Sequence, residues 1–496
     1  MKNTLRWLLD VPKGKRRSIL LLMLLQAVNG GSGVLYALLL RQLVDHATDR
    51  DIAGFWRYVM LTVLLVLGQV AVRAWIRHLD ERTRAVFENV FKERLLRHIL
   101  HKRFAAVTAV HSGEWLNRLT SDTVVVASSY VDIVPGLVGM VVKLVAAFVM
   151  MLVLDWRFAC LLVPCGAAML VMTYLFRRIL KRLHKQVQEQ DGRLRIFLQE
   201  HIGSLLLIRS FATEAQTQAQ ARAHMDDHMA ARMRKLRFSN LCNTGFGLGM
   251  NGLYLFGVCW CGYGILCGTI SYGTLTAVTQ LIAQIQTPVA NITGYLPRFY
   301  AMTASAERLM EIERFEDDTE EPTHPIEAVK AWYAEKMCAF GLDHAGFTYY
   351  PVVDHIEDLS KDGQPTVLRD VTLEIRKGEY VAFTGHSGCG KSTVLKLLMG
   401  IYPLDSGART LTDIEGTRPL TPAWHRLFAY VPQGLQLMSG TIREVVAFAD
   451  RAAMHDDARL SRALTIACAD EFVSELDAGV DTLLGERGTG LSEGQM

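Results

Sequence analysis

The run Gly385-His386-Ser387-Gly388-Cys389-Gly390-Lys391-Ser392 has the form G-x-x-x-x-G-K-[ST]. The chemistry of that spacing is phosphate capture. Its glycines let backbone N–H groups turn inward around an anion, and a helix start behind the loop adds partial positive charge. Lys391 would reach the terminal phosphates of a nucleotide, while Ser392 would offer its hydroxyl to Mg²⁺. The setting agrees: apolar residues 380–384 predict a strand entering the loop, and residues 393–399 predict a helix leaving it, with Thr393 at its start. Cys389 reads as a small loop residue at which oxidation would block nucleotide.

The elements that position this loop differ along the chain. Half of the 496 residues are hydrophobic, yet 21% are charged, and the two characters are segregated. Six apolar segments are long enough to cross a bilayer, at residues 18–40, 58–76, 133–154, 158–176, 246–267 and 274–292. Lys143 sits near the middle of the third. A central Lys costs about 3 kcal/mol on the insertion scale, and surrounding Val, Leu and Phe return roughly 0.3–0.6 kcal/mol each, so insertion remains favoured. Lys143 reads either as a bundle-facing or snorkelling residue or as one lining a substrate path. Gln26, Asn29 and Gln69 are further polar residues within spans, with packing or cavity roles both open.

Basic residues set the orientation. The leader carries Lys13, Lys15, Arg16 and Arg17; residues 77–132 carry Arg82, Arg94, Lys102, Arg103 and Arg118, and residues 177–237 are as rich. The connection between spans three and four is only Asp155-Trp156-Arg157, and that between five and six has no Lys or Arg. Both termini and the two long connections are therefore expected in the cytoplasm. The long connections carry helical periodicity, as in Val86, Val90, Phe91, Leu95 and Ile99. The first apolar stretch runs too far for a cleaved signal peptide and reads as a retained span.

An acidic run, Glu316-Asp317-Asp318-Thr319-Glu320-Glu321, with Pro322 and Pro325 behind it, predicts a linker. Expected domains are a transmembrane domain at 1–312, a linker at 313–337 and an α/β phosphate-loop domain at 338–496. The net charge of +3 gives no reason to expect a nucleic-acid partner, and the nine cysteines form no metal or disulfide pattern.

Six spans fused to this loop resemble the ABC transporters, in particular the exporter type with its membrane half first. Further segments carry the resemblance. Val431-Pro432-Gln433 resembles the Q-loop, which implies that Gln433 serves Mg²⁺ and the attacking water. Leu491-Ser492-Glu493-Gly494-Gln495 is similar to the signature sequence, with Glu493 in place of the usual glycine. Gly485-Glu486-Arg487-Gly488 resembles an exporter segment that contacts the cytoplasmic helices. Phe347-Thr348-Tyr349 resembles the adenine-stacking site, with Tyr350 as the alternative. Residues 112–122 and 200–214 resemble the two coupling regions.

The resemblance implies ATP and Mg²⁺ as cofactors and a multi-pass protein of the plasma or inner membrane with its nucleotide domain in the cytoplasm. It implies a second half-transporter as partner and ATPase-driven export of a substrate that the residues do not specify. Ser492, Gly494 and Gln495 would then face a nucleotide held by the other half. The Walker B aspartate, catalytic glutamate, D-loop and switch histidine that the resemblance places after the signature are not identified in this chain. The expectation is a nucleotide domain with an incomplete parallel sheet, unpaired strand edges and negligible hydrolysis by this chain alone. The alternative is a non-hydrolysing membrane protein that binds nucleotide or a partner half only.

Overall fold

The computed structural model describes residues 2–11, 14, 16–318, 322–351, 353, 360–432, 437–485, 491–492 and 495. They divide into two units, Met1–Asp318 with Pro351–Ser360, and Thr319–Tyr350 with Lys361–Met496.

In the first unit a short α1 (Lys2–Asp10) is followed by α2 (Arg16–Thr48) and α3 (Ile52–His101). Next come α4 (Phe104–Ala109), α5 (Ser112–Asn117), a π-helical turn at Arg118–Asp122, and α6 (Thr123–Leu154). The unit continues with α7 (Trp156–Gly203), α8 (Leu205–Ser210), α9 (Glu214–Leu266) and α10 (Tyr272–Glu311). Five of the six predicted spans lie within one of the helices of 32 to 53 residues, and the fifth, 246–267, passes the end of α9 by one residue, Cys267. Among the described residues, length and hydropathy alone select three as able to cross a membrane: Arg16–Thr48, Ile52–His101 and Ser112–Leu154, at mean hydropathy 1.6, 2.0 and 2.7. Only 6% of the most apolar stretch of α3 is buried. An uncovered face of Leu61, Leu64 and Leu67 is a liability in water and the proper surface in hydrocarbon.

Small residues let the spans approach. A Cβ built on Gly30 of α2 would lie 2.7 Å from the carbonyl oxygen of Gly139 on α6, whereas one on Gly31 meets nothing within 4 Å. Gly30→Val should therefore destabilise the protein by about 1–3 kcal/mol, with Gly31→Val nearly silent, as read by thermal unfolding in detergent. Turns on the non-cytoplasmic side are capped by side chains. Asp155 accepts from the backbone N–H groups of Arg157 (3.0 Å) and Phe158 (3.2 Å), and from Trp260 Nε1 at 2.9 Å. Asp51 and Ser271 cap α3 and α10 in the same way.

The cytoplasmic ends are tied by charge. Arg118, counted in the sequence among the basic residues that set orientation, is 1% exposed. Its guanidinium donates to the Arg308 carbonyl (2.7 Å) and to Glu114 (3.0 Å), and pairs with Glu311 (2.8 Å). Asp122, also buried, accepts from Ser305 (2.8 Å) and from Arg308 Nε (2.8 Å). The first part of the predicted acidic linker is held as well. Lys102 Nζ, on a residue only 6% exposed, donates to the Phe315 carbonyl at 2.7 Å and pairs with Asp317 at 2.8 Å. Asp318 N donates to the His101 carbonyl at 2.8 Å, and Arg103 pairs with Glu316. Glu316–Asp318, within the expected linker, thus lie against the cations that end α3.

Lys102, by its hydrogen bond and then its charge, holds the Asp317 carboxyl below its ordinary value of 3.8. A depressed carboxylate contributes fully above the ordinary value and loses that contribution as pH falls through the lowered one. Acidification below pH 3.8 should release residues 316–318 from α3, seen as faster amide exchange there. Lys102→Met should show that exchange already at neutral pH.

The second unit starts with α11 (Ile326–Glu335), inside the stretch read as linker, where Trp332 packs on Trp424 at 4.3 Å. Strands β1 (Met337–Phe347) and β2 (Leu368–Arg376) precede α12 (Lys391–Leu398), which is followed by β3 (Ser406–Asp413) and β4 (Gly416–Pro419). The sheet has the order β2-β1-β3-β4 and is antiparallel throughout, its core built on Met337, Leu411 and Leu420. Beyond it, β5 (Gly440–Thr441), α13 (Ile442–Val446), α14 (Asp457–Ile466), α15 (Asp470–Ser474) and β6 (Leu483–Leu484) gather around Ile442, Leu464, Val473 and Leu484.

Among the described residues, the parallel strands expected from the loop's setting are absent. Residues 380–384 form no strand and have no ladder partner among the described residues, and Tyr380 is fully exposed. A buried central strand needs neighbours on both sides to satisfy its backbone. Here no described strand lies beside it.

Candidate nucleotide-binding site

The loop bends where its glycines allow. Gly388 and Gly390 have φ of +84° and +100°, values a Cβ would resist, and they turn the backbone from the extended segment into α12. Lys391 opens that helix. Its ammonium donates to the carbonyls of Gly385 and His386, both at 2.8 Å, and lies 3.6 Å from Cys389 Sγ. The loop thus curls around the lysine, which needs only to exchange two neutral carbonyls for phosphate oxygens. Ser387 and Ser392 are exposed, and so is His386, whose Nδ1 lies 3.0 Å from the Ser387 carbonyl. Thr393 is buried.

Behind the loop stands an aromatic group. The Tyr349 hydroxyl bonds Thr393 Oγ1 at 3.0 Å, and its ring meets Phe347 edge-on at 4.7 Å and Tyr402 at 5.3 Å. Tyr350 instead carries the Lys361 ammonium over its ring at 4.9 Å. Of the two candidates for adenine, Tyr349 is joined directly to the helix that follows the loop. At the other end of the unit, Ser492 N donates to Gln495 Oε1 (2.9 Å) and Gln495 N to the Ser492 carbonyl (3.0 Å), a closed turn. No hydrogen bond or ion pair joins this turn to the loop among the described residues. Gln433, Glu493, Gly494 and Glu486–Gly488 lie outside the described residues. Residues Ile466–Ala469 followed by Asp470-Glu471 have the composition of a Walker B strand with its acidic pair. Ile466 ends α14 and is 75% exposed, Asp470 opens α15, and the run precedes the signature segment, so it is not that strand.

Of the packing and cavity roles left open for Gln26, Asn29, Gln69 and Lys143, the fold gives the cavity: all four line one hollow, joined there by Arg73, Gln284 and Tyr295, which the sequence did not single out. Arg73 lies inside the second span and could have been singled out by the same reasoning as Lys143.

Loop, helix order and antiparallel sheet together define a membrane transporter fused to a nucleotide domain. The sequence profile of the ABC transporter transmembrane region matches residues 19–289, more than half of the chain, and the ABC transporter profile matches residues 368–496. The chain belongs to the ABC transporter family. It is 25% identical over 442 residues to ABC transporter B family member 1 of Dictyostelium discoideum, an alignment covering 88% of this chain and 46% of that protein. It is 24% identical over 446 residues to the multidrug resistance ABC transporter ATP-binding and permease protein of Lactococcus lactis subsp. lactis (88% and 71%). It is 23% identical over 465 residues to the ATP-dependent lipid A-core flippase of Pasteurella multocida (92% and 76%). The chain thus spans less than half of the first of these relatives. A bacterial Atm1-family ABC exporter solved with ATP bound matches it in fold, with a TM-score of 0.74 at 18% identity, over 97% of this chain and 82% of that one. The protein is an integral membrane protein of exporter architecture, with its ATP-binding region on the cytoplasmic side. Members of the family bind ATP with Mg²⁺.

Proposed function

We propose that this chain is the ATP-binding half of an exporter and that ATP binding at residues 385–393 drives movement of a substrate across the membrane. We place its membrane domain at 1–312 and its ATP-binding domain at 338–496, joined through 313–337. The loop curled around Lys391 at the start of α12 is the observation that carries the reading. In it Lys391 and the glycines grip the phosphates, Ser392 and Gln433 hold Mg²⁺, Gln433 aligns water, and Tyr349 stacks on adenine. Ser492, Gly494 and Gln495 close on the nucleotide of a second half-transporter.

Dimerisation is supported by the second connection, where Ile202, Leu205, Leu206 and Phe211 are between 54% and 80% exposed. Such a patch at the cytoplasmic tip of α7 and α9 suits a protein partner rather than water. ATP, bound more tightly by the closed pair of nucleotide domains, shifts a two-state equilibrium of the spans. Inverted vesicles carrying the protein should take up a transported dye only with ATP and Mg²⁺, and Lys391→Ala should abolish the uptake.

A second reading, a non-hydrolysing protein that binds nucleotide or a partner half, is favoured by segment 380–384, which has no ladder partner among the described residues. Phosphate release separates the two. ATP bound without turnover by the purified protein selects the second.

A further inference from the structure

The cavity that collects Gln26, Asn29, Gln69, Arg73 and Lys143 has a volume of about 470 Å³, within the usual range of ligand sites. Two cations line it and no acid does. Neither Arg73 nor Lys143 has an ion-pair partner among the described residues; Arg73 Nε reaches only the Asn29 amide oxygen, at 3.4 Å. Gln284 turns its amide nitrogen to the Gly33 carbonyl (2.5 Å), leaving its buried Oε1 without a partner among the described residues. Unpaired cations in hydrocarbon are costly, and they persist where they face a polar cavity with something to bind.

A second hollow of about 500 Å³ shares Asn29 and Gln69 with the first, and apart from Ser32, which bonds Gln69, the rest of its wall is apolar, including Leu35, Leu61 and Leu64. It lies between α2 and α3, the helix whose apolar face is least covered. Counted from the expected cytoplasmic ends of the spans, Arg73 is three residues in and Lys143 ten, which at ~1.5 Å per residue spans the inner half of the bilayer.

We propose that the two hollows form one binding site for an anionic amphiphile drawn from the cytoplasmic leaflet. Its carboxylate or phosphate head would sit between Arg73 and Lys143, and its tail between α2 and α3. This rests on the exporter reading for its place in transport, but not for binding itself. A charge-bearing head satisfies both cations, and Gln69 and Asn29 mark the passage from head to tail.

The test uses the intact chain in phosphatidylcholine nanodiscs without nucleotide. The probe is 11-(dansylamino)undecanoic acid, followed by its fluorescence. The acid should bind, and its methyl ester should bind at least about tenfold more weakly. Lys143→Gln and Arg73→Gln should each weaken the acid about tenfold, and Lys143→Arg should restore it, which also guards against a misfolded variant. Inorganic phosphate at millimolar concentration should not displace the probe. Equal affinity for acid and ester, no effect of either Gln variant, or displacement by inorganic phosphate would each overturn the proposal. Binding of ATP, measured on the same samples, should be unchanged by the cavity variants. Probe binding without ATP-driven uptake would sink the exporter reading and leave the site standing.

Discussion

Lys391→Ala should weaken ATP binding about a hundredfold, ~3 kcal/mol, when nucleotide affinity is measured on the purified protein. The ammonium forms two hydrogen bonds to loop carbonyls, at Gly385 and His386, and exchanges them for charge-assisted bonds to phosphate. Removing it deletes the strongest cation and also the pin around which the loop is folded. The glycine backbone would keep its positive φ values, so residual weak binding through N–H groups is expected rather than none. Lys391→Arg should not restore affinity, since a planar guanidinium is too large for a loop closed around an ammonium.

Arg118→Ala should destabilise the membrane unit by about 3–5 kcal/mol, the usual cost of removing one partner from a buried charge network. Glu311 and Glu114 would be left without their cation, and the Arg308 carbonyl without its donor. The matched control is Arg97→Ala, whose pair with Glu93 is about two-thirds exposed on both sides and should matter by ~0.5 kcal/mol or less. Thermal unfolding in detergent reads both. A double-mutant cycle between Arg118 and Glu311 should return a coupling above about 1 kcal/mol.

Much of the fold was legible because the strongest patterns are local. Apolar runs of about 20 residues announce their helices, and a phosphate loop is a contiguous motif, so the helix at Lys391–Leu398 follows from residues beside it. What escaped depends on neighbours far along the chain. Lys102 and Asp317 lie more than 200 residues apart, and nothing local reveals that the acidic run docks on the end of α3. The burial of Arg118 is hidden because, beside the local Glu114, its other acidic partner and the carbonyl it donates to are on α10, about 190 residues away. Residues 380–384 have a strand's composition, but a strand exists only where another lies beside it.

The membrane cavity was half legible. Gln26, Asn29, Gln69 and Lys143 stand out as polar residues in spans, yet only the packing of α2, α3 and α6 brings them to one wall. Gln284 and Tyr295 join from α10; Gln284, inside the sixth span, carries the same signal as Gln26, while Tyr295 lies beyond that span.

A triphosphate site reached from the cytoplasmic side of the membrane is best probed by photolabelling with an azido-ATP analogue in sealed vesicles of known sidedness. A label is expected on the fragment containing Lys391 in inside-out vesicles, competed by ATP, lost in Lys391→Ala, and absent from right-side-out vesicles. Labelling that survives the substitution, or that reaches the loop from the outer face, would contradict it.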